Sequence, residues 1–146
     1  MKYDKETFKE VLEPHHRTYW KIAYTKLQRK MQSLKSSLKK RSEDADVKFD
    51  ISMEDLREMF FTKYGKSCKY CRRKLTIRNM VCDHIIPLSK SGASVINNLQ
   101  LICKSCNTRK GPLDEKDFEE LMFWVETLKE ETRDYVLRKL AKGGRY

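Results

Sequence analysis

Two C-x-x-C pairs, Cys68-Lys69-Tyr70-Cys71 and Cys103-Lys104-Ser105-Cys106, are the clearest chemical feature of the chain. Each pair can turn two thiolates toward one point on a tight knuckle. Two knuckles together supply the four sulfurs of a closed tetrahedral zinc site. Four thiolates leave no open coordination position, so the expected metal is structural, one zinc per chain. The gap between the pairs is 31 residues, longer than in compact zinc ribbons, so the insert must be a folded unit clamped at both ends. A thioredoxin-like redox pair and incidental cysteines are the competing readings, and two pairs in one basic chain weigh against both. Cys82 is left over and reads as a small buried apolar side chain outside the metal shell.

The insert carries Asp83-His84-Ile85-Ile86-Pro87-Leu88, then Ser91-Gly92-Ala93, then Asn97-Asn98-Leu99, and runs into Cys103-Lys104-Ser105-Cys106-Asn107-Thr108-Arg109-Lys110-Gly111. Over about residues 66 to 112 this order resembles the HNH endonuclease family, in particular its small phage-type members. The family pattern is C-x-x-C, D-H-I-x-P-L-S-x-G-G, N-L and C-x-x-C-N-x-x-K-G. Ser91-Gly92 stands where two glycines are usual, and Asn107 where some members have His. The resemblance implies an α+β, mostly helical fold. Its core would be a ββα-metal, treble-clef-like unit with structural zinc, flanked by N- and C-terminal helices. It also implies roles. His84 would be the general base, Asp83 and Asn107 would hold a catalytic divalent ion, and Asn98 would orient the His84 ring or support the loop.

Elementary chemistry is consistent with those roles. Hydrolysis of a phosphodiester needs an activated water and neutralised phosphate charge. A neutral histidine titrates near pH 7 and can take a proton from water. A hard ion such as Mg²⁺ or Mn²⁺ prefers oxygen ligands and needs only one or two protein groups plus substrate phosphate. Asp83 is the only carboxylate between Thr62 and Pro112, so no richer acidic cage is available locally. Adjacent residues on a strand point to opposite faces, so Asp83 and His84 can serve one site only if the strand ends or twists there.

The charge distribution points to the substrate. The formal net charge is +11, unevenly spread. From Arg17 to Arg41 there are nine Lys or Arg and no acid; from Thr62 to Pro112, eleven and one; from Asp114 to Val136, three bases against nine acids. Basic blocks beside a cysteine site point to a polyanion, most simply double-stranded DNA. The expected phosphate-contacting residues are Lys21, Lys26, Arg29, Lys30, Lys35, Lys39, Lys40, Arg41, Arg109 and Lys110. A solvated basic surface is the bland alternative. Monomer and homodimer both remain open; one such unit should nick a single strand, and a double-strand cut needs two.

The elements that must position these residues fall into three segments. Residues 1–48 form a basic helical extension. Its long helix is expected over Arg17 to Arg41, because Trp20, Tyr24, Leu27, Met31, Leu34 and Leu38 recur at steps of three and four. That stripe packs on the chain's own core or forms a short coiled coil. His15 and His16 should be exposed or capping, and Ser42 to Asp46 reads as a polar linker. Residues 49–113 form the nuclease unit. It opens with a helix capped by Ser52, stapled by Ile51 and Leu56, and stopped at Gly65. A hairpin from Leu75 to His84 turning near Arg78-Asn79 follows, then a short helix after Ser105. Residues 114–146 form a helix capped by Asp114 and bearing Phe118, Leu121, Met122, Val125 and Leu128. A second helix bears Tyr135, Val136, Leu137 and Leu140. Core packing is the expected role of these side chains, and Gly143 to Tyr146 should fray.

No apolar run reaches the roughly 18 to 20 residues of a membrane span. The polar, acid-bearing N-terminus does not read as a signal peptide. A cytoplasmic protein, bacterial or phage-encoded, is expected. Two other functions stay open: a non-catalytic, zinc-dependent nucleic-acid binding module, and a structural zinc protein that binds a partner through its acidic segment. Neither needs Asp83, His84 and Asn107 together.

Overall fold

A computed structural model describes residues 2–142; the expectation of fraying at Gly143 to Tyr146 falls outside them. The chain begins with a helix not anticipated from the sequence. Helix α1 spans Lys5–His16, capped by Asp4, whose carboxylate accepts the Thr7 N–H, and it buries Phe8 and Leu12. A single 3-10 turn, Arg17–Tyr19, then redirects the chain into α2, Trp20–Asp44. Trp20, Leu27, Met31 and Leu38 of its stripe are buried, and Tyr24 and Leu34 are partly so. The stripe is thus consumed by the chain's own core, where it meets α1 and the cysteine segment.

The linker expectation at Ser42 to Asp46 is corrected at its start. Ser42, Glu43 and Asp44 are the last residues of α2, and Ser42 is fully buried. The reason is periodicity: Ser42 lies one four-residue step beyond Leu38, so it continues the buried face although its side chain is polar. Only at Asp46, with φ of 53°, does the chain leave the helix direction.

Helix α3, Met53–Lys63, follows a short strand β1, Phe49–Asp50. Its start is as expected: Ser52 and Asp55 form a reciprocal capping box, and Ile51 and Leu56 are buried in one cluster. Its end is fixed at Gly65, where φ is +75° and a Cβ would overlap the His15 ring.

The hairpin expectation is corrected. The turn at Thr76 to Asn79 exists, with the Met80 N–H donating to the Thr76 carbonyl. The residues before it do not pair with those after it. They close the first cysteine knuckle instead, through a bridge between Ser67 and Lys74. Strand β2, Met80–His84, pairs antiparallel with β4, Leu99–Cys103, in the register Met80↔Cys103 to His84↔Leu99. Between them, β3, Ser94–Val95, pairs parallel with β1. Helix α4, Lys104–Lys110, follows β4 directly, so β2, β4 and α4 make a β-β-α segment beside the cysteines.

Helices α5, Glu115–Glu126, and α6, Glu130–Leu140, complete the described chain. Asp114 caps α5, and Phe118 packs edge-on against Tyr70 at 4.8 Å between ring centroids. The core role expected for the α6 side chains is corrected: α6 buries none of them fully, and Tyr135 is 54% exposed. The fold is mostly helical, with the β-β-α segment flanked by helices on both sides. No described helix is long and apolar enough to cross a membrane.

Candidate metal centre and reaction site

The cysteines converge as their spacing implied. The Sγ atoms of Cys68, Cys71, Cys103 and Cys106 all lie within 4.8 Å of one another. Cys68 and Cys71 sit on the knuckle after α3, tightened by Arg72 in the left-handed region. Cys103 ends β4 and Cys106 lies in the first turn of α4. Sulfurs about 2.3 Å from a tetrahedral zinc stand roughly 3.8 Å apart, so this set fits such an ion. No disulfide competes for them. Backbone amides already favour negative sulfur: the Cys103 N–H points at Cys68 Sγ and the Cys106 N–H at Cys103 Sγ. The Cys106 thiol donates to Cys68 and, with the backbone amides of Cys103, Cys71 and Tyr70, holds the Cys68 thiol well below the ordinary thiol range, while Cys106 itself is pushed far up. The cluster could coordinate a structural metal ion. Cys82 stands apart from it, and burial raises its thiol to about 12.

A second polar centre lies at the other end of the β2–β4 ladder. Asp83 and His84 are the last two residues of β2, so the strand ends at this pair. Their partners come from different elements. Asp83 Oδ2 pairs with Lys110 Nζ at 3.1 Å and accepts from Gln100 Nε2 at 3.0 Å. Gln100 faces Asp83 in the ladder and also donates to Tyr70 Oη, within the first knuckle. Both protein contacts fall on Oδ2; Oδ1 has no side-chain partner among the described residues. His84 Nε2 lies 2.8 Å from Ser94 Oγ. Burial, then the charge of Arg41, lowers the His84 pKa below its ordinary value, with Asp83 partly opposing.

Asn98 closes the connection between the strands. Its Oδ1 accepts the Ile86 N–H, and its Nδ2 donates to the carbonyls of Ile86 and Ala93. These bonds tie Asn98 to both sides of the loop between the strands. The same loop explains Ser91-Gly92. A Cβ at Gly92 would overlap the Ile86 carbonyl, so only glycine fits there. Ser91 takes the left-handed conformation, φ 63°, itself.

Several expected placements change in the structure. Asn107 is half-buried on α4, three residues before Lys110 and so on the same face, with no side-chain hydrogen bond among the described residues. Lys110, expected at the phosphate surface, is fully buried: its ammonium serves Asp83 and the carbonyls of His84 and Leu113. Arg109 is half-buried near Asp134 and Leu137 of α6. Of the basic residues on α2, Lys21, Lys26, Arg29, Lys39, Lys40 and Arg41 are exposed. Lys35 is half-buried, and Lys30 is turned inward to donate to the Met80 carbonyl. His15 is exposed as expected, but His16 bonds to the Tyr64 hydroxyl. Sequence reading missed Ser42, Ser94, Gln100 and Tyr70. The helical step from Leu38 could have found Ser42; the others depend on pairings that the sequence does not state.

His84, Asp83 and Asn98 are 7%, 8% and 9% exposed. A narrow edge of the centre therefore meets solvent. The set contains a buried imidazole, a carboxylate with one oxygen that has no side-chain partner among the described residues, and a loop tied by Asn98, all hung on a two-stranded ladder.

No curated protein matches the chain. Residues 68–113 match the family model described as HNH endonuclease, less than half of the chain but the part that holds every cysteine of the cluster, both strands of the ladder and α4. An HNH endonuclease family domain is therefore identified over residues 68–113.

Proposed function

We propose that the chain is a metal-dependent endonuclease that hydrolyses phosphodiester bonds in double-stranded DNA. Residues 49–113 form the catalytic unit, residues 1–48 a basic brace, and residues 114–146 a helical buttress. The observation that carries this reading is the adjacency, at the end of β2, of a buried histidine and a buried carboxylate with one oxygen that has no side-chain partner among the described residues. His84 takes the proton from the attacking water. Asp83 Oδ1 and Asn107 would hold a divalent ion such as Mg²⁺ or Mn²⁺. Lys110 and Gln100 fix the carboxylate from its other oxygen, so that Oδ1 keeps one direction. When bound, the ion supplies positive charge to the scissile phosphate and its leaving oxygen. The four cysteines hold zinc as a purely structural ion. Phosphates flanking the cut are met by the exposed end of α2, and a cytoplasmic site of action follows from the substrate.

The low exposure of Asp83 and His84 favours a second reading, a zinc-dependent nucleic-acid binding module without catalysis. Supercoiled plasmid separates the two. Purified protein with Mg²⁺ should convert it to nicked circles, and added chelator should stop conversion at once. Binding without conversion, across Mg²⁺ and Mn²⁺, would establish the binding module instead.

A further inference from the structure

Three buried polar groups stand in a line that runs from α2 to the reaction centre. Ser42 Oγ lies 2.6 Å from the Leu38 carbonyl, one turn back in α2, and 2.6 Å from Ser94 Oγ. Ser94 Oγ lies 2.8 Å from His84 Nε2. Both serines are fully buried, so water does not complete these contacts.

Proton counting orders the line. A serine hydroxyl carries one hydrogen, and a carbonyl can only accept. The contact between Ser42 and the Leu38 carbonyl therefore uses the Ser42 hydrogen, the usual back-bond of a helical serine. The contact between Ser42 and Ser94 then needs the Ser94 hydrogen. The last contact can use only a hydrogen on His84 Nε2. The ring is held as the tautomer protonated at Nε2, with the lone pair on Nδ1.

We propose that Ser94 and Ser42 are positioning residues that fix the His84 ring and aim Nδ1 at the attacking water. This rests on the reading of His84 as the base. Ser94 acts directly, from the short strand held by β1. Ser42 acts only through Ser94, from the last turn of α2. Because Ser42 lies outside residues 68–113, helix α2 becomes a working part of the nuclease and not merely a strut. The alternative is that the two hydroxyls only satisfy each other in a packed corner.

The test uses the full chain, zinc-loaded, cutting supercoiled plasmid with Mg²⁺ under single-turnover conditions. Ser94→Ala should slow cleavage about 10- to 100-fold, the range for losing the partner that orients a working histidine. DNA affinity and zinc content should not change. Ser42→Ala should slow it less, and the double variant should be no slower than Ser94→Ala alone, because Ser42 has no route except Ser94. Nitrogen NMR of the wild-type ring at neutral pH should show Nε2–H alone, and the Ser94→Ala ring a mixture. If Ser94→Ala does not fold, Ser42→Ala, which gives α2 a better helix former, decides by the same rate and NMR readouts. Wild-type cleavage in the decisive variant, or Nδ1–H in the wild-type ring, overturns the proposal while an inactive His84→Ala keeps the base reading intact. An active His84→Ala overturns that base reading first.

Discussion

At the Met80–Cys103 end of the β2–β4 ladder, four soft sulfurs converge within 4.8 Å. At the His84–Leu99 end the polar groups are a histidine, a carboxylate, two amides, a serine and a buried lysine. The first end can be filled completely by the protein's own ligands. The second leaves one carboxylate oxygen and one ring nitrogen without a hydrogen-bond partner among the described residues. A closed centre provides rigidity, and the open one borrows it. Tyr70, between the knuckle cysteines, reaches Gln100, and Gln100 reaches Asp83. Cys103 ends the strand and α4 begins beside it, which carries Lys110 to the carboxylate. The knuckle thus sets the geometry of the centre at the far end of the ladder.

The largest expected effect comes from breaking the closed end. Structural zinc in small cysteine-rich sites is worth about 10–16 kcal/mol of folding free energy at neutral pH. Cys103→Ala should bind no zinc by elemental analysis and lose the cooperative thermal transition. A wild-type melt in metal-free protein would show that the two ends are independent.

Next comes the buried pair at the open end. Lys110→Met strands the Asp83 carboxylate without its cation, and such a loss costs about 3–5 kcal/mol. The midpoint in a denaturant titration should fall accordingly. Adding Asp83→Asn should restore part of it, because the uncompensated charge is then gone. No recovery would mean that Lys110 contributes mainly by packing.

A smaller effect is expected at the surface. Ser42 contacts Ser94 beside His84, so the neighbouring, exposed Lys39, Lys40 and Arg41 lie at the end of α2 that approaches the centre. Changing all three to Gln should weaken DNA binding and flatten its salt dependence, by a log–log slope of about 0.9 for each phosphate no longer neutralised. The rate at saturating DNA should hold. An unaltered salt slope would assign these charges to solvent.

The smallest effect lies beside the turn that leads into β2, where His16 meets Tyr64. Burial, then the nearby charges of His15 and Arg78, lowers the His16 pKa below its ordinary 6.5. A histidine depressed in the folded state contributes stability that is complete above about pH 6.5 and lost as pH falls through the folded value. Melting temperature should therefore drop on acidification in the wild type, and less steeply in His16→Asn. Equal slopes would remove His16 from the balance.

The cysteine convergence, the capping of α3 and α5 and the stripe of α2 could all be read from the sequence, because each depends on residue type and local spacing. The β2–β4 pairing could not. A turn near Arg78-Asn79 invites a local hairpin, whereas the true partner of Met80–His84 lies beyond a loop whose closure depends on Asn98 and Gly92. Lys110 was misplaced for a similar reason. At the end of a basic run it looks like a surface charge, and only the fold shows that it meets Asp83. Ser42 is the instructive case: composition suggests a linker, periodicity a buried face, and periodicity prevails because α2 has a core to bury against.

The division of labour between the two ends is tested most directly by His84→Ala, with zinc content, DNA affinity and plasmid cleavage measured on one preparation. The expected result is one zinc per chain, wild-type binding and cleavage slowed by about 10²- to 10⁴-fold, the usual contribution of a general base. Cleavage at the wild-type rate with zinc in place would contradict the account, because the open end of the ladder would then not be where the bond is cut.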